Sequence, residues 1–71
     1  MENSLYDAIN RITIELLESL EYGDTIALNE RYALYHYFDD DQVVLVKTES
    51  WDEIACVQWN LQSDDLQITE I

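Results

Sequence analysis

The sequence predicts an α+β domain in which one N-terminal helix packs on an antiparallel β-sheet of three to five strands. Three observations predict it. Leu5, Ile9, Ile12, Leu16 and Leu20 recur at helical spacing, which at about 100° per residue draws one apolar stripe. After Gly23, the only glycine, apolar residues recur every second position, the period of a half-buried strand. Acidic groups at 39–41 and 64–65 then punctuate those stretches as turns. With 71 residues the chain reads as a single domain, 1–71, with a modest core.

The helix is expected over Ser4–Tyr22. Ser4 followed by Asp7 resembles a capping box, and Gly23 suits the left-handed residue that ends a helix. Asp7, Arg11, Glu15 and Glu18 lie on the face opposite the stripe, with Glu21 at its margin. Arg11 is four residues from both Asp7 and Glu15 and so can neutralise either. Ile14 falls among these acids, with Leu17 and Tyr6 on the flank. It belongs either to a wide apolar face or to a small exposed contact inside an acidic surface.

The strands follow in order. The stretch 24–28 places Ile26 and Leu28 on one side. Arg31–Phe38 places Tyr32, Leu34, His36 and Phe38 one way and Tyr35 and Tyr37 the other. A second helix over 29–38 is the alternative, because Tyr32 and Tyr35 also fit helical spacing. Asp39, Asp40 and Asp41 turn the chain, with a four-residue loop as one plausible length, and Gln42–Thr48 returns as a strand. A polar connection holding Trp51 leads to Ile54–Leu61, with Ala55, Val57, Trp59 and Leu61 facing together. After Ser63, Asp64 and Asp65, the last strand spans Leu66–Ile71.

Charge dominates the functional reading. Sixteen Asp and Glu against three Lys and Arg leave a formal net charge of −13. Such an excess destabilises a compact state by self-repulsion, so its use is expected outside the fold, against a basic surface. A halophile surface is the bland account, but the large aliphatics are not thinned out and the acids are grouped. Direct nucleic-acid binding is disfavoured, since phosphate contacts need Lys and Arg. Anionic membranes would repel the chain. The start, Met1-Glu2-Asn3-Ser4, lacks the basic and apolar character of a secretory signal. The single cysteine, Cys56, excludes an internal disulfide framework and fits a reducing, cytoplasmic setting.

Catalytic motifs are missing. His36 is the only histidine and Cys56 the only cysteine. His36 reads as a packed or surface residue and Cys56 as a small buried hydrophobe. A Cys–His pair has no supporting motif, and a zinc site needs more ligands. An EF-hand loop starting at Asp39 would need Gly and Glu where Val44 and Ser50 stand. No enzyme activity, cofactor or metal is expected.

What remains is a distribution of acids: Asp7, Glu15, Glu18 and Glu21 on the helix, Asp39, Asp40 and Asp41 at a hairpin tip, Glu49, Asp52 and Glu53 in the connection holding Trp51, and Asp64 and Asp65 at the last turn. Each group alone can be a solvated face. Together they can present a row of negative charge comparable to a phosphate backbone, with tyrosines or Trp51 beside the acids as desolvated anchors and Ile14 as a further apolar contact. In size, charge and intracellular character the whole chain resembles the small acidic anti-defence inhibitors of phages and mobile elements, the anti-CRISPR and anti-restriction nucleic-acid mimics. The resemblance implies a stoichiometric inhibitor that blocks the basic channel of a nuclease or nucleic-acid-binding complex in a bacterial host cell. Two alternatives stay open: an immunity protein or antitoxin neutralising a basic toxin, and an acidic homodimeric module joined through Ile14 and Leu17.

Overall fold

The computed structural model describes residues 3–71 and has the predicted class, an α+β fold with its helical part N-terminal. The expected single helix is instead two, α1 (Asn3–Asn10) and α2 (Ile14–Ser19). Thr13 makes the break. Its backbone is extended (φ −127°, ψ 157°), and its hydroxyl accepts from the Leu16 N–H at 3.1 Å, so it caps a new helix rather than continuing the first. The end of α1 tightens through bonds from Arg11 N–H to the Ala8 carbonyl and from Ile12 N–H to the Ile9 carbonyl. Ser4 lies inside α1 and is not its cap.

The break re-aims α2. Leu17, expected on the flank, becomes a buried core residue, while Leu16 is only partly buried. Leu17 therefore offers no exposed surface to a second copy. Ile14 is half-buried. Helix α2 ends at Ser19, four residues before Gly23, so Tyr22 lies outside it. Gly23 does take the left-handed conformation (φ 83°), but in a turn closed by the Asp24 N–H on the Glu21 carbonyl at 3.0 Å. A Cβ there would stand 3.1 Å from the Phe38 ring, so the turn admits glycine for two reasons.

Five strands follow: β1 (Thr25–Ala27), β2 (Tyr32–His36), β3 (Val43–Lys47), β4 (Glu53–Asn60) and β5 (Asp65–Glu70). They form one antiparallel meander in chain order. The 29–38 alternative resolves as strand β2. Asn29 ends the preceding link instead, its side-chain oxygen accepting from Arg31 and Tyr32 N–H at 2.9 Å each. The β2–β3 connection has the four-residue loop, Phe38 to Asp41, closed by Tyr37 N–H on the Gln42 carbonyl.

The sheet has two faces. Towards the helices, Tyr32, Leu34, Val43, Leu45, Ala55 and Val57 join Ala8, Ile12, Leu17 and Leu20 in the main core. A bulge between β3 and β4 lets Ile54 turn to this side with Ala55. On the outer face Ala33, Val44 and Val46 are buried beneath Tyr35, Tyr37 and Cys56. Phe38 and Leu61, expected inward, are 78% and 63% exposed, because both sit in turns where the strand alternation has ended. Among the described residues no helix is long and apolar enough to cross a membrane.

Candidate functional site

A meander sends alternate turns to opposite ends of its sheet, and here that topology sorts the charge. The 21–24, 38–41 and 61–64 turns gather at one end, while the 28–31 and 48–52 links lie at the other. The first end carries Glu21, Asp24, Asp39, Asp40, Asp41, Asp64 and Asp65, together with Glu18, which Trp59 draws in from α2. None of the three Lys and Arg is there. Arg31 and Lys47 flank the opposite links, and Arg11 donates to the Leu28 carbonyl at 3.0 Å while pairing with Asp7 at 3.3 Å. The helix break removes Arg11 from the helical relationship to Glu15.

Specific bonds hold the acidic end together. The Tyr22 hydroxyl donates to the Asp41 carboxylate, tying the 21–24 turn to the β2–β3 tip. That bond and the neighbouring negative charge of Asp41 raise the Tyr22 pKa above its ordinary value. The Tyr22 ring rests on His36, centroids 4.7 Å apart. His36 is buried, its Nδ1 3.3 Å from the Leu20 carbonyl. The Trp59 indole N–H donates to Glu18 at 2.6 Å, and the Ser63 hydroxyl donates to Asp65 at 3.0 Å.

Between the β2–β3 tip and the longer β4–β5 hairpin lies an open notch of about 800 Å³, lined by Asp40, Asp41, Gln42, Cys56, Val57, Gln58 and Trp59. Exposed Phe38 and Tyr22 stand beside the tip. The arrangement offers carboxylates with aromatic anchors next to them, a surface suited to cationic side chains.

Three of the four predicted acidic groups contribute to this end: Glu18 from α2 with Glu21 from the turn after it, the hairpin acids Asp39, Asp40 and Asp41, and the last-turn pair Asp64 and Asp65. The fourth does not. Trp51, Asp52 and Glu53 lie at the far end and face outward. Trp51 packs edge-on against Tyr35 at 5.9 Å, and Tyr35 meets Tyr37 at 5.6 Å. The Tyr37 hydroxyl donates to Glu53 at 2.5 Å, which pushes the Tyr37 pKa up to about 12. Glu15 is exposed at the start of α2, one turn before Glu18, and makes no bond to the hairpin acids. Asp24 and Phe38 lie outside the sequence expectations, and Tyr22 is one of the tyrosines beside the acids that they left unnumbered. The signal for Asp24 was its place after Gly23, which marks a turn, and turns on one side of a meander share an end.

His36 faces the helices and half-buried Cys56 faces outward, where Gln42 donates to its sulfur at 3.1 Å. They lie on opposite faces of the sheet and form no nucleophile pair. Among the described residues no three His, Cys, Asp or Glu converge to hold a metal ion. No protein-family model, curated protein or solved structure matches the chain.

Proposed function

We propose that this protein is a stoichiometric inhibitor that occupies the basic nucleic-acid channel of a bacterial defence nuclease or nucleic-acid-binding complex. One observation carries the reading: eight carboxylates, from Glu18 to Asp65, share one end of the fold with no Lys or Arg among the described residues there. Turns on neighbouring hairpins repeat at multiples of the strand spacing of about 4.8 Å. The acids therefore form a spaced, rigidly mounted series, as the phosphates of a nucleic-acid strand do. A channel lined with Lys and Arg meets the same charge pattern without needing a base sequence.

The mechanism is competition. The field of the acidic end speeds encounter with a cationic cleft. Tyr22 and Phe38 then supply area that can be desolvated next to the carboxylates, which converts encounter into residence. No bond in the partner is made or broken.

The test is capture from bacterial lysate at low salt, with and without excess duplex DNA. The expected catch is one or more nucleic-acid-binding proteins that DNA displaces and that rising salt releases. A catch indifferent to both DNA and salt contradicts the reading.

A further inference from the structure

We infer that the free edge of strand β5 is a strand-addition site for an extended, cationic segment of a partner protein. The sheet order ends at β5, which pairs with β4 along all six residues, Asp65 to Glu70. The Ile71 N–H bonds to the Ile54 carbonyl at 3.1 Å. Backbone groups alternate sides along a strand, so Thr69 and Gln67 also point to β4, and Leu66, Ile68 and Glu70 turn their N–H and C=O groups to the open edge. Such an edge is normally guarded by Pro, Lys, a bulge or shortness. The opposite edge, β1, is guarded by its three-residue length. Strand β5 has no Pro, Lys or bulge and is six residues long; its only guards are the acids Asp65 and Glu70 at its ends.

A second observation falls on the same strand. The helices stop short of the β4–β5 half of the inner face. An apolar cleft of about 710 Å³ opens there, with Leu5, Tyr6, Ile9, Ile54, Ile68 and Glu70 on its walls. A strand added to β5 lays alternate side chains towards that cleft, beside Leu66 and Ile68, and the others towards solvent, beside Asp65, Gln67 and Thr69. The occupant is therefore an alternating apolar and polar segment.

Charge decides its sign. Asp65 bounds one end of the edge on the solvent side, and Glu70 bounds the other on the cleft side, where Lys47 also lines the cleft. A segment with its basic residues on the solvent side gains at Asp65 and from the net charge of −13. A second copy is disfavoured, because pairing two β5 edges joins two chains of net charge −13. This site is distinct from the acidic turns: it binds through backbone hydrogen bonds along a strand.

The test uses the whole protein and a short synthetic peptide of alternating lysine and valine, beside the same peptide N-methylated on every backbone amide. Amide hydrogen exchange is followed by NMR. The expected result is slowed exchange at Leu66, Ile68 and Glu70 with the plain peptide and none with the methylated one. Glu70→Pro removes one open-edge N–H that the native ladder does not use, and weakens the plain peptide by roughly tenfold; Glu70→Gln, which keeps the N–H, weakens it less. Binding of both peptides without protection of those three amides overturns the inference, because charge alone then suffices. Protection that grows with protein concentration in the absence of peptide assigns the edge to a second copy and overturns it as well. Failure here leaves the acidic-end reading standing, since that reading is tested at Asp39, Asp40 and Asp41, away from β5.

Discussion

The indole N–H of Trp59 donates to Glu18 across 2.6 Å and ties helix α2 to strand β4. Forty-one residues separate the two in the chain. The bond places a helical carboxylate beside the hairpin acids and secures a helix only six residues long.

Glu18→Ala should therefore lower stability by about 1 kcal/mol, the usual worth of one net hydrogen bond. Glu18→Gln keeps an acceptor oxygen and removes a charge from a crowded acidic end, so it should cost less. Urea unfolding of the two variants checks the order. Equal losses mean that the bond contributes nothing and that the substitutions act through helix propensity alone.

The acidic end should strain the fold electrostatically. Stability should rise with NaCl, because salt screens repulsion among carboxylates that no cation offsets there. A gain of about 1 kcal/mol appears as roughly 4–8 °C in the melting temperature of a domain this size. Asp40→Asn should mimic part of that gain at low salt. Thermal melts across a salt series give the answer; a flat series denies that the carboxylates repel one another.

Much of this architecture was legible in the sequence, and the exceptions have physical causes. The alternating runs located β2 and β4, the continuous apolar run Val43 to Val46, buried on both faces, located β3, and the loop at Phe38 to Asp41 followed from its acids. The helix break was not seen, since Thr13 is compatible with the apolar stripe and its capping role depends on the bond to Leu16. Leu17 was assigned to the flank for the same reason: one continuous helix fixes a different rotation from two short ones. The acidic groups were legible one by one. Their union at one end was not, because it follows from the meander order, and the sequence reading left the strand count open. Phe38 and Leu61 were assigned inward by carrying alternation past the strand ends.

Leu61 and Leu34 give a sharp contrast in packing. Leu34 is completely buried and Leu61 is largely exposed. Leu34→Ala should cost about 2–5 kcal/mol, enough to unfold a marginal domain. Leu61→Ala should stay within about 0.5 kcal/mol. Denaturant titration separates them, and comparable losses contradict the position of Leu61 in the β4–β5 turn.

Tyr37 should make stability fall in alkali. Its hydroxyl donates to Glu53, and its pKa is pushed up to about 12. The unfolded tyrosine gives up its proton near its ordinary value of 10.0. The folded chain keeps that proton longer, so the contribution is full below the unfolded pKa and disappears as pH climbs through the folded one. Tyr37→Phe should flatten the decline between those two values. Ultraviolet titration of tyrosinate, run beside unfolding at each pH, checks both halves. A tyrosine that titrates at its ordinary value in this position removes the effect.

The most direct measurement compares two charge-reversed triple variants against a captured nucleic-acid-binding partner. One carries Asp39→Lys, Asp40→Lys and Asp41→Lys at the acidic end; the other carries Glu49→Lys, Asp52→Lys and Glu53→Lys at the far end. Circular dichroism confirms that each is folded, and competition with duplex DNA reads out binding. The account predicts that the first loses the ability to displace DNA and the second largely retains it. If the far-end variant fails while the hairpin variant still competes, the acidic end is not the surface that meets the partner.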